Sequence, residues 1–198
     1  MAIPYAYELT EQVDDVDVTT WEAVCGPARN PYLGLGFLRA VERSFAREAK
    51  FWYAIFRDDA GQPVGCACFS RYLVDGALMA PQPIQRMLAV VRRAWPSFLK
   101  YSILLCGVPV STCNNQLAIA DGGDMERLAI SLDALSLKLA RESGCTLISF
   151  KEFPPEMSRR MDTLQGHGFL RARSLVAYSL AGEFGSFAGY QASRSKGR

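Results

Sequence analysis

The 198-residue chain reads as an α/β (α+β) domain in three layers, a mixed central sheet flanked by helices. Three observations predict this. Short runs rich in aromatic and β-branched residues alternate with segments of helical periodicity. Their order is a strand, two helices, a β-hairpin, a helix, further strands, and then strand–helix–strand–helix–strand, so the two element types are interleaved throughout. Hydrophobic residues make up 49% and charged residues 21%, a balance that lets a chain of this length bury one core.

Each element has a local reason. "YAYELTEQV" (5–13) suits a first strand. "DVTTWEAVCG" (17–26) suits a short helix capped by Thr19 or Thr20 and ended by Gly26. After the Asn30-Pro31 turn, Leu35, Leu38, Val41 and Phe45 recur at helical spacing, with Arg39, Glu42, Arg43, Arg47 and Glu48 on a solvated face. "KFWYAIFRDDAGQPVGCACFSRYLV" is a hairpin around the turn "RDDAGQP". "PIQRMLAVVRRAW" (83–95) predicts a helix with Ile84, Met87, Leu88 and Val91 on one side and Pro96 at its end. "KYSILLCG" (100–107) predicts a buried strand and "QLAIA" (116–120) a short one. "MERLAISLDALSLKLARESG" is the strongest helix, with a stripe of Met125, Leu128, Leu132, Leu135 and Leu139 and Gly144 at its C-terminus. "CTLISFKEF" (145–153) is continuously apolar, which predicts a central strand covered on both faces. "PPEMSRRMDTLQGHGF" suits one helix opened by Pro154 and Pro155, and "LRARSLVAYSLAG" (170–182) a last strand. The final segment, 183–198, is rich in Gly and Ser with Arg194, Lys196 and Arg198, a linker-like basic tail after a single domain over 1–182.

Charge and cysteine usage narrow the function classes. The net charge of +2 points to neither nucleic acid nor an acidic partner. The six cysteines (Cys25, Cys66, Cys68, Cys106, Cys113, Cys145) form no C-x-x-C pair and His167 is the one histidine, so no metal site is expected. Buried free thiols in a reducing compartment fit better, and Cys66 and Cys68 alternate toward one face of their strand. The N-terminus lacks a basic and apolar leader, and no apolar run approaches the roughly 18 residues that span a bilayer. A cytoplasmic location without a membrane span is the expectation.

The order of elements resembles the GNAT superfamily of N-acetyltransferases, whose members begin with a strand and two helices and finish with strand–helix–strand–helix–strand. "LQGHGF" (164–169) is similar to the turn that ends the fourth helix there. Within the superfamily, "WEAV…NPYLGLGFLRAVE" (21–42), "LLCGVPVS" (104–111), "LISFKEFP" (147–154) and "SFAGYQASRSK" (186–196) resemble FemAB-like, peptidoglycan-type acyltransferases. Full-length members carry two GNAT-like domains. This chain ends where the second would begin, as a truncated gene product or a stand-alone half would.

The resemblance implies transfer of an acyl group from acyl-CoA (acetyl-CoA), or from an aminoacyl donor, to an amine. That chemistry needs backbone N–H groups for the pyrophosphate, donors for the acyl carbonyl and a base for the amine. The aligned phosphate loop is "IADGGDMER", making Gly122 and Gly123 the cofactor-binding candidates. Asp121 and Asp124 bracket them. Two carboxylates within about 5 Å of a phosphate cost a few kcal/mol at an effective dielectric near 20, and Asp124 is also a good N-cap. Both a capping turn and a cofactor loop therefore stay open. Glu152, at a strand's C-terminal end, is the candidate catalytic base. Asn114 and Asn115, beside Cys113 in "VSTCNNQ", are the candidate substrate-binding groups. His167, at a helix end between two glycines, suits a dipole and packing role. No tyrosine in the following helix matches the usual GNAT acid.

The expected acceptor is a small-molecule amine, such as a cell-wall precursor or amino-acid conjugate, with a second GNAT-like domain or a homo-oligomer as possible partners. Two alternatives stand beside the enzyme: a non-catalytic acceptor-binding or partner-packing half, and a small-molecule binding module without acyl transfer.

Overall fold

In the computed structural model, which describes residues 3–26, 30–78, 80–110, 116–153, 155–173 and 184–195, a six-stranded mixed sheet forms the spine of the fold. Its strands are β1 (Ala6–Thr10), β2 (Ala49–Arg57), β3 (Pro63–Asp75), β4 (Lys100–Cys106), β5 (Leu117–Ile119) and β6 (Leu147–Phe150). They run in the order β1-β2-β3-β4-β6, with β5 also on β3. Only β4 and β6 pair in parallel. The helices are α1 (Val18–Cys25), α2 (Leu35–Ser44), α3 (Gln82–Ala94), α4 (Met125–Ser143), α5 (Pro155–Arg160), α6 (Thr163–Gly166) and α7 (Phe187–Ser195).

The three expected layers follow from strand alternation. Phe51, Tyr53 and Ile55 of β2, with Cys66 and Cys68 of β3, face Trp21, Val24, Leu38 and Val41 from α1 and α2. Trp52, Ala54 and Phe56, with Ala67 and Phe69, face Leu128, Leu132, Leu135 and Leu139 of α4. Because helices cover both faces, β2 and β3 are the central strands, each buried for six consecutive residues. Truncating one of the fully buried α4 leucines to alanine would cost about 2–5 kcal/mol.

The caps explain why α4 forms where it does. Asp124 Oδ1 accepts from the N–H groups of Glu126 (2.9 Å) and Arg127 (3.2 Å). Gly144 ends the helix in a left-handed conformation, its N–H bonded back to Ala140 and Arg141. For α1, Asp17 is the N-cap rather than Thr19 or Thr20. Its carboxylate takes both the N–H and the hydroxyl of Thr20.

Several expectations change. Among the described residues the strand over 145–153 is short and lies at the end of the strand order: β6 has four residues, pairs with β4, and leaves Leu147 52% exposed. Only Leu104–Cys106 of β4 are buried, because its first half continues a hairpin arm beyond the sheet body. The stripe expected on 83–95 buries Leu88 alone. The single helix after Pro154 is two short ones, α5 and α6, broken at Met161–Asp162. Glu42 does not belong to a solvated face; its Oε2 accepts from Val13 N–H (2.9 Å) and Tyr53 O–H (2.7 Å). The tail read as linker-like carries α7, and most of the last expected strand (174–183) lies outside the described residues.

Candidate functional site

Within the described residues the strand line opposite β3 is broken between β4 and β5, and the register locates the break. β4 ends at Cys106, opposite Phe69, and β5 begins at Leu117, opposite Ala67. Between them, Gly107 N–H donates to Cys68 C=O (2.7 Å) and Cys68 N–H donates to Gln116 C=O (3.2 Å). Gly107 and Gln116 therefore both lie against Cys68. β4 and β5 are two parts of one strand line, interrupted between Gly107 and Gln116.

Gln116 holds the two edges of this gap together. It is 1% exposed. Its Oε1 accepts from Val108 N–H and its Nε2 donates to Tyr32 C=O (3.2 Å). Gly107 adopts φ 130°, and a Cβ there would meet Gln116 Oε1 at 2.7 Å, so glycine is required. The buried Ser70 hydroxyl donates to Gly107 C=O (2.6 Å). Ser70, Gly107, Val108 and Gln116 are buried and joined by these hydrogen bonds, which fixes the gap's geometry.

Glu152 stands beside this break. β6 runs parallel to β4 as far as the pair Cys106–Phe150. Two residues on, β4's chain leaves the sheet at Val108 and β6's chain reaches Glu152. Glu152 has φ 62°, the left-handed region, which costs a non-glycine residue roughly 1–2 kcal/mol. Its side chain is 19% exposed, and its buried Oε2 has no hydrogen-bond partner, with the Lys151 ammonium 3.6 Å away. A strained backbone and an unsatisfied carboxylate at the C-terminal end of parallel strands mark a candidate site on physical grounds. Phe150 stacks with Phe153 and meets Phe169 edge-on, giving this end of the sheet an apolar wall.

The Gly122–Gly123 turn follows β5 at the same end of the strands. Gly122 takes φ 81° in open space. Gly123 is sterically required, because a Cβ there would lie 2.6 Å from Ile119 Cγ1. Four of the surrounding N–H groups already have protein acceptors: Gly123 donates to Ala120 C=O, Asp124 to the Tyr5 hydroxyl, and Glu126 and Arg127 to Asp124. Arg127 is engaged as well. It lies over the Tyr5 ring at 4.3 Å and binds Ile3 C=O and Asp59. The turn thus fits a capping role better than a pyrophosphate cradle. Asn114 and Asn115 fall within 111–115, outside the described residues.

Two features escaped the sequence. His167, the residue after α6, places Nδ1 2.5 Å from Asp133 Oδ2 in the middle of α4. Asp133 is buried, and its Oδ1 has no hydrogen-bond partner. The available signal was an aspartate set among the apolar positions of an otherwise regular stripe. The second is Gln116, whose role depends on a strand break that no local pattern announces. The thiols of Cys66, Cys68 and Cys106 are core groups. Burial pushes all three well above the ordinary range, and the Cys25 thiol 3.8 Å from Cys66 adds to the effect there.

Two clefts lie elsewhere. One, of about 290 Å³, sits between α1 and α2 and includes Trp21, Cys25, Asn30, Leu33 and Arg39. It adjoins Tyr32, whose carbonyl anchors Gln116. The other, about 250 Å³, includes Lys50, Arg71 and Glu142 at the opposite end of the sheet. Among the described residues no group of three His, Cys, Asp or Glu side chains could hold a metal ion, and no helix is long and apolar enough to cross a membrane.

No protein-family model matches the chain. It is similar to the putative 8-amino-7-oxononanoate synthase 2 of Mycobacterium tuberculosis, in strains CDC 1551 / Oshkosh and ATCC 25618 / H37Rv, at 29% identity over 138 residues. The match takes in 69% of this chain but spans only 18% of that protein. Among solved structures, a tetramutant of the BH1408 protein from Bacillus halodurans superposes with a TM-score of 0.46 at 11% identity, covering 87% of this chain and 99% of that one. A probable acetyltransferase gives 0.45 at 15% identity, covering 89% and 97%. At these scores the fold rests on the chain's own strand pairing.

Proposed function

We propose that this chain is a GNAT-like acyltransferase domain of the FemAB-like kind, moving an acyl group from acyl-CoA or an aminoacyl donor to an amine. The observation that carries the proposal is Glu152: a left-handed residue whose buried carboxylate oxygen has no hydrogen bond and the Lys151 ammonium 3.6 Å away, near an interrupted strand at the C-terminal ends of β4 and β6. The order of a strand, two helices, a hairpin and a strand–helix–strand unit supports the fold assignment. In the proposed reaction the Glu152 carboxylate accepts a proton from the acceptor ammonium. The neutral amine then attacks the acyl carbonyl, the bond to the donor breaks, and the leaving group takes up a proton. The cleft between α1 and α2 would hold the acceptor, next to the gap through Tyr32 and Gln116. The acceptor class suggested by the resemblance is an amino-acid conjugate or cell-wall precursor.

A second reading, a non-catalytic acceptor-binding half of a larger protein, is favoured by one observation. The N–H groups at the N-terminus of α4 are occupied by Asp124 and the turn itself, which leaves them closed to a donor phosphate. Titration calorimetry with acetyl-CoA separates the two. Micromolar binding, together with loss of turnover in Glu152→Gln, supports the enzyme. Absence of acetyl-CoA binding at millimolar ligand, with no Glu152-dependent turnover of any donor, refutes it and leaves the acceptor-binding half.

A further inference from the structure

The hairpin of β3 and β4 extends past the sheet body and ends in an arm, described over residues 76–78 and 80–99, built around α3. Gln85, Leu88 and Arg92, at i, i+3 and i+7, attach α3 along one narrow stripe. Gln85 Nε2 donates to Leu78 C=O (3.2 Å) and Ala80 C=O (2.8 Å). Leu88 is buried. Arg92 makes a bidentate pair with Asp75 (2.7 and 2.5 Å) and donates to Phe98 C=O.

This attachment lies on the border between the helix's apolar and polar faces, so most of the apolar face is left uncovered. Leu78, Ile84, Met87, Val90, Val91 and Trp95 are all exposed, Trp95 at 59%. Arg86 and Arg93 are exposed on the opposite side of α3. Residues 76–99 contain three arginines and no Asp or Glu. An amphipathic helix with apolar and aromatic residues on one face, arginines on the other and no acidic residue matches the interface of an anionic lipid surface, where the apolar side enters the headgroup boundary. A second copy of the arm is a poorer occupant, because it would add like charge with no acidic residue on either side to offset it.

We propose that residues 76–99 dock the protein on an anionic membrane surface, lying in the headgroup layer without crossing it. The arm leaves the sheet at the N-terminal end of β4, whereas Glu152 lies past its C-terminal end. The seven residues of β4 separate them by roughly 20 Å at about 3.3 Å per residue. Docking is therefore independent of the proposed chemistry.

The test uses the full chain with vesicles of pure phosphatidylcholine and of phosphatidylcholine mixed with phosphatidylglycerol, read by co-sedimentation and tryptophan emission. Trp21 and Trp52 are buried, so Trp95 reports insertion. Binding to the mixed vesicles with a blue shift supports docking if Met87→Ser/Trp95→Ser abolishes it and Arg86→Glu/Arg93→Glu weakens it by more than about tenfold. These side chains are exposed, and an unchanged melting temperature verifies that each variant is folded. The proposal is overturned by absence of binding to mixed vesicles, by equal binding to neutral ones, or by equal binding of the folded variants. Self-association in sedimentation that Met87→Ser/Trp95→Ser removes, with no vesicle binding, would assign the face to a second copy instead.

Discussion

Replacing Glu152 by glycine should make the protein more stable while removing its proposed base. The left-handed backbone at φ 62° costs a non-glycine residue roughly 1–2 kcal/mol. The buried Oε2 without a hydrogen bond costs about 1–3 kcal/mol, toward the lower end here because the side chain is 19% exposed. Two effects oppose the gain. Glycine loses roughly 0.5–1 kcal/mol more backbone entropy on folding. Lys151 also loses a partner at 3.6 Å, a long contact between largely buried side chains worth about 1 kcal/mol. The net is a stabilisation of about 1 kcal/mol, or roughly 2–4 °C in Tm for a chain of this size. Glu152→Gln keeps the strained backbone and should change Tm far less. Urea unfolding and calorimetry measure both variants, with acyl transfer followed in parallel. A less stable Glu152→Gly protein would mean that the carboxylate holds the loop together, and the assignment of Glu152 as a strained functional group would be wrong.

Three further outcomes are expected. His167→Ala leaves the buried Asp133 carboxylate without its remaining partner and should lower stability by about 1–3 kcal/mol, the half-exposed histidine keeping the loss below that of a fully buried pair; Asp133→Asn in the same background should recover part of it in urea unfolding. Asp124→Ala removes the cap on Glu126 and Arg127 and should cost about 1 kcal/mol, and if the aspartates close the turn to phosphate, Asp121→Gln with Asp124→Gly should improve coenzyme A binding by calorimetry. The Arg92 guanidinium beside Asp75, helped by the Ala77 N–H, holds that carboxyl down at about 2, below its ordinary value of 3.8. The stabilisation from this pair is thus complete above the ordinary value and is lost as pH falls through about 2. Hydrogen exchange in α3 should stay protected at mildly acidic pH and rise only toward pH 2, or at any pH in Arg92→Ala.

Local chemistry determined much of this protein. The aromatic and small apolar runs flanking "RDDAGQP" set the β2–β3 hairpin, the leucine stripe with Asp124 and Gly144 set α4, and the glycine-rich turn after β5 was legible as a helix start. These features were readable because periodicity and capping act within a few residues. Only the tertiary structure decided the rest. The apolar run over 145–153 looked central, yet strand order depends on pairings between segments far apart in sequence, and β6 ends the described strand order. Glu42 sat among solvated positions until Val13 and Tyr53 reached it. Glu152 could be named from its place after a strand, but its left-handed backbone and its buried oxygen without a hydrogen bond are visible only in the folded chain. A sequence records which side chains want burial; which partners meet them is settled by the one arrangement that satisfies every strand and helix face together.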